Sequence, residues 1–132
     1  MPTISNAALT INTNKPQDQA TVRVSCDIEF TQVEVNAMNM LGLQYTLHCH
    51  VYNHEVFDDD RVVSYHHVDF PRVAGEAQRY EHANFDSTVP MEYLHERMIG
   101  KDQLVARLKL KNEETGVEDT LDTDTIAVDL AA

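Results

Sequence analysis

The stretch Thr21-Val-Arg-Val-Ser-Cys-Asp-Ile-Glu-Phe30 decides the fold class. Val22, Val24, Cys26, Ile28 and Phe30 alternate with Thr21, Arg23, Ser25, Asp27 and Glu29. Successive side chains of a strand point to opposite faces, so this segment buries one face and wets the other. The same two-residue rhythm recurs in Tyr45–Tyr52, Leu104–Lys111 and Ile126–Leu130. Leu9 and Ile11 give a short first strand, Arg61–Phe70 another, and Gln78–Phe85 a weaker one. Half-buried strands at this spacing predict an all-β protein, a two-sheet antiparallel β-sandwich of immunoglobulin- or C2-like shape.

The links between strands carry turn chemistry. Pro16 sits in Asn14–Gln19, Asp58-Asp59-Asp60 separates two strands, and Pro71 with Gly75 marks another turn. Gly116 suits a left-handed position in the hairpin turn Asn112–Gly116. Val33 and Val35 have the opposite parity from Phe30, which predicts a corner near Thr31–Gln32 and then a short segment to Met38. Leu121 is out of phase with Ile126, so a break is expected at Asp122–Asp124. At most one short helix is expected, near 90–99. There Pro90 fits a first helical turn, Met91, Leu94 and Met98 share a side, and Gly100 fits a stop.

Composition bounds the rest. The chain has 132 residues, 42% of them hydrophobic, which suits a single domain spanning 1–132 with one core. Its formal net charge is −12, so nucleic-acid backbones and anionic membrane surfaces are disfavoured partners. No apolar run approaches the ~20 residues of a membrane span, and no leader pattern opens the sequence. A cytoplasmic protein, or one carried in a particle, is the expectation. Cys26 and Cys49 fall on inward positions, where buried thiols are the default in a reducing compartment. The late bases Arg107, Lys109 and Lys111 face an acidic return segment, Glu113–Asp129, which predicts ion pairs across a hairpin.

Two patterns point to metals. His48 and His50 lie two apart on one strand, so both imidazoles share a face, and Glu55 follows. The run from Gly42 through His48, His50 and Glu55 resembles the first motif of the cupin family: glycine, five residues, His-x-His, then glutamate. That resemblance implies a small β-barrel holding one divalent transition metal on His48, His50 and Glu55. One later histidine would complete the set, and the protein would be a metal-dependent enzyme or sensor. Val62 stands where the family has a second glycine. His66 and His67 are adjacent, so one of them is a possible third ligand if their strand pairs with that of His48. The second pattern is Asp58-Asp59-Asp60 with Asp122 and Asp124, which suggests calcium-dependent binding of a sugar or lipid.

For nucleophilic catalysis, no Gly-x-Ser-x-Gly turn or phosphate loop is present. The first functional expectation is therefore a non-catalytic interaction or structural module without a cofactor. Its partner would be another protein or a second copy of itself, met through an edge strand or a sheet face.

Overall fold

The computed structural model describes residues 2–54, 59–71, 79–94 and 101–130. They form two antiparallel sheets packed face to face. One has three strands in the order β1-β2-β5: β1 is Thr3–Asn14, β2 is Gln19–Glu29 and β5 is Tyr80–Pro90. The other runs β4-β3-β6-β7, with β3 at Tyr45–His54, β4 at Asp59–Phe70, β6 at Asp102–Asn112 and β7 at Glu118–Asp122. Strand β8, Ile126–Val128, also pairs with β6 after the break expected at Asp122–Asp124. The β-sandwich expected from the alternation is the architecture found.

The core is the inward parity of each strand. Val22, Val24, Cys26, Ile28 and Phe30 are all buried, as are Leu47, Cys49 and Val51 from the facing sheet. Removing each such side chain from water is worth roughly 1.5–3 kcal/mol for the larger aliphatic ones. Phe30 joins the sheets: its ring lies 5.3 Å from that of Tyr45 and 5.7 Å from that of Phe70, both tilted. Tilted ring pairs at this spacing add to area burial. At one side of the sandwich β4 reaches across to the other sheet, where the Tyr65 hydroxyl meets Ser87 Oγ at 2.8 Å.

The helix lies elsewhere than near 90–99. Helix α1 spans Gln32–Leu41 and links the two sheets. The corner and short extended segment anticipated there are thus replaced by a helix, for two local reasons. Thr31 and Glu34 make a capping box: Glu34 N–H donates to Thr31 Oγ1 at 3.2 Å, and Thr31 N–H donates to Glu34 Oε1 at 2.8 Å. Gly42 then takes the left-handed C-terminal position, φ +67°. Val35 and Met38 turn to the core, so the switched parity of Val33 and Val35 belongs to a helical period. Near 90–99 the described residues give only a 3-10 turn, Met91–Tyr93; 95–100 lie outside them.

Candidate interaction site

His48 and His50 stand half-buried on the outer face of the β3 sheet, because Tyr45, Leu47, Cys49 and Val51 fill the inner one. His48 Nε2 lies 3.3 Å from Thr46 Oγ1, and His50 Nδ1 lies 3.0 Å from Ser64 Oγ on β4. Their register partners on β6 are Lys109 and Arg107, so cationic side chains adjoin both imidazoles. Glu55 and Asp58 lie outside the described residues. Among the described residues, no group of three or more His, Cys, Asp or Glu is placed to hold a metal ion. The cupin resemblance implies ligands pointing into a barrel, whereas these histidines face away from the core.

Of the charge pairing expected across the β6–β7 hairpin, the described residues show the Arg107–Asp122 rung. Arg107 grips Asp122 with two bonds, Nε to Oδ1 at 2.8 Å and Nη2 to Oδ2 at 3.1 Å. This bidentate contact pushes the Arg107 pKa further up. The Arg107 guanidinium also lies 5.1 Å over the Tyr52 ring. Cys26 and Cys49 are unpaired thiols with no exposed surface. Burial pushes them up to about 11 and about 12, which leaves them protonated and unsuited to nucleophilic attack.

A polar group that the alternation hides sits at the mouth of the sandwich. Asn53 is fully buried; its amide donates to Leu94 O at 2.8 Å and to Asp102 Oδ1 at 3.0 Å. Among the described residues, Asn53 Oδ1 has no hydrogen-bond partner. Asp102 is also fully buried. The pair ties the 3-10 turn after β5 to the ends of β3 and β6, a structural task that neither residue announces in the sequence.

The sheet edges differ from one another in a way that bears on partners. β1 carries a register shift between Ser5 and Ala8, with Asn6 at φ +53°, and its flank meets β6 and β7. β4 is shifted twice against β3. β7 and β8 are short and separated by a break. β5 is the one long edge among the described residues with an unbroken register, from Gln19↔Pro90 to Glu29↔Tyr80. Interruptions blunt an edge against pairing, and β5 has none.

Which groups β5 offers follows from the ladder alternation. Phe30 N–H donates to Arg79 O at 2.7 Å and Met91 N–H donates to Asp18 O at 3.1 Å. Residues of antiparallel pairs alternate between bonded and non-bonded sets, so odd-numbered β5 residues bond to β2. Tyr80, His82, Asn84, Asp86 and Thr88 therefore turn their backbone N–H and C=O outward, with side chains on the outer face of the sheet. Only Glu81 places a charge on the inward parity, at the very start of the strand.

No protein-family model and no curated protein matches the sequence. A solved structure of a Bordetella pertussis protein assigned the name ApaA is similar at 9% identity and TM-score 0.41, covering 97% of this chain and 92% of that one.

Beside β5 the outer face of its sheet holds a shallow depression of about 510 Å³. In it His82 Nδ1 meets Asp27 Oδ1 at 2.6 Å and Asn6 Nδ2 donates to Asp27 Oδ2 at 2.9 Å. The His82 bond, and then that from Asn6, hold the Asp27 carboxyl below its ordinary range. Asp27 lies between Asn6 and His82 and bonds one polar atom of each, which ties the bulge in β1 to the middle strand and to β5. An aspartate in the middle is the wrong order for activating a nucleophile, which needs the histidine between acid and hydroxyl. No helix of the described residues is long and apolar enough to cross a membrane.

Proposed function

We propose that this chain is a non-catalytic β-sandwich module that engages a protein partner, a second copy included, through the outer edge of β5. The setting proposed is a reducing, cytoplasmic one, which suits two unpaired buried thiols. The carrying observation is the contrast among edges: β5 runs from Tyr80 to Pro90 without a register shift, while β1 and β4 are shifted and β7 and β8 are cut short. Strand addition to such an edge draws affinity from main-chain hydrogen bonds and selectivity from alternate side chains.

Asn84→Pro tests this reading. The Asn84 N–H faces away from β2, so proline removes a donor from the edge and leaves the β2–β5 ladder intact. Wild type and Asn84→Pro are used as baits in quantitative affinity capture, with thermal unfolding as the folding control and His48→Ala as a substitution on the other sheet. The expected result is a partner set kept by His48→Ala and lost by Asn84→Pro at an unchanged unfolding midpoint. The same partners on all three baits would refute it.

A further inference from the structure

The side chains along β5 are complementary to themselves in one antiparallel register, and this names the partner. We infer that the edge of β5 pairs with β5 of a second copy about a two-fold axis at Asn84, an inference that rests on the edge reading above. In that register His82 faces Asp86 of the other copy, Tyr80 faces Thr88, and Asn84 faces its own image. A histidine across from an aspartate offers a hydrogen bond, and an aromatic across from a β-branched residue is a favourable cross-strand pair. Within each copy His82 Nδ1 already bonds Asp27 and Asp86 Oδ2 already bonds Arg23, so the new contact uses the remaining polar atoms of both. On the inner parity small Ala83 faces large Phe85, so the core-side surface fits without two bulky groups meeting.

The register also obeys the ladder. Tyr80, His82, Asn84, Asp86 and Thr88 are the residues whose main-chain groups point outward, and the two-fold at Asn84 pairs them only with one another. Moving the axis to Ala83 or Phe85 also pairs outward residues with one another but sets His82 against Asn84 or Thr88, and moving it to Asp86 or His82 sets two aspartates or two histidines face to face. Each shift also separates His82 from Asp86. The product is a single sheet in the order β1-β2-β5-β5-β2-β1, whose two remaining edges are the bulged β1 strands. A two-fold contact of this kind closes on itself and does not propagate into fibres.

The test combines mass, exchange and covalent trapping on the full chain. Light scattering across a dilution series reads the mass, and deuterium exchange reads the outward amides of Tyr80, His82, Asn84, Asp86 and Thr88. Asn84→Cys is then oxidised under native conditions, with Thr88→Cys as the control. Opposed residues of a bonded pair lie about 5.5 Å apart at Cα, within disulfide reach. Two copies of residue 88 would lie about 27 Å apart, at about 3.4 Å per residue. Cys26 and Cys49 have no exposed surface and do not compete.

The expected result is a dimer whose outward amides exchange about tenfold more slowly than in the diluted protein. Asn84→Cys, and not Thr88→Cys, should give a covalent dimer. A monomer at every concentration, with Asn84→Pro still losing a captured partner, overturns the second copy and leaves the edge reading standing. A dimer with freely exchanging β5 amides overturns the β5–β5 contact, and the edge reading falls with it when Asn84→Pro also keeps every captured partner.

Discussion

Asn53 offers the sharpest test of how the mouth of the sandwich is held. Its amide supplies two buried bonds, to Leu94 O and to Asp102 Oδ1, and its own Oδ1 has no donor among the described residues. In Asn53→Ala both acceptors lose this donor. Leaving a buried neutral acceptor short costs about 1–3 kcal/mol, and a bond to a carboxylate is worth about 1.5–3. Against this, the substitution removes the unmet Oδ1, which returns about 1–3 kcal/mol. The net expectation is a loss of about 2–3 kcal/mol out of a total that for ordinary domains lies near 5–15. Asn53→Asp is worse at neutral pH, because it keeps the oxygen, deletes both donors and sets a second carboxyl against Asp102. One of the two carboxyls must then hold its proton in the folded state above the ordinary carboxylate range. A folded-state pKa that is raised makes stability fall as pH rises, so Asn53→Asp should regain stability toward pH ~4 relative to Asn53→Ala. Urea unfolding of the three proteins at neutral pH and near pH ~4 measures both effects. A loss in Asn53→Ala below about 0.5 kcal/mol, or a pH-independent gap between the two variants, would refute the hydrogen-bond assignment.

Thr31→Ala removes the reciprocal cap of α1 and should cost about 1 kcal/mol in the same assay, while Thr31→Ser, which keeps the acceptor oxygen, should cost much less. Asp27 titrates below its ordinary value of 3.8 because His82 and Asn6 bond its charged form. Its contribution is present above that value and is lost as pH falls through the depressed one. Carboxyl carbon shifts of Asp27 should therefore titrate below 3.8 in the wild type and move back toward it in His82→Ala, and an unchanged midpoint would count against the contact.

The strands were legible because burial of one face imposes a period that no local preference can hide. Every inward residue of Thr21–Phe30 is buried, and Cys49 and Leu108, read from later strands, are buried beside them. Helix α1 was obscured by a coincidence of short range. Val33 and Val35 mimic a two-residue alternation, yet Val35 and Met38 are the pair that enters the core. The signal was nonetheless in the chain, as Thr31-x-x-Glu34 at one end and Gly42 at the other. His48 and His50 were assigned correctly to one shared face. What their spacing could not supply is which partners surround that face, because the neighbours Ser64, Arg107 and Lys109 come from strands 14 to 61 residues away. The edge character of β5 is a property of strand order, and strand order is set by contacts that no single segment encodes.

The charge of the chain separates a self-partner from a basic one. Two copies that each carry −12 repel at long range, so a contact between them must be held by local fit against the global field. Salt shortens that field to about 8 Å at physiological ionic strength. The proposed His82–Asp86 contacts would lose little by such screening, since exposed polar pairs contribute only about 0–1 kcal/mol. Self-association through β5 should therefore strengthen as salt is added. A basic partner drawn by the same net charge would instead be released by salt, because its attraction is the term that screening removes. The interrupted β1 and β4 edges and the short β7 and β8 fit this division: an acidic surface slows encounters everywhere, and the proposed self-contact would rely on the unshifted β5 ladder to supply the aligned main-chain groups.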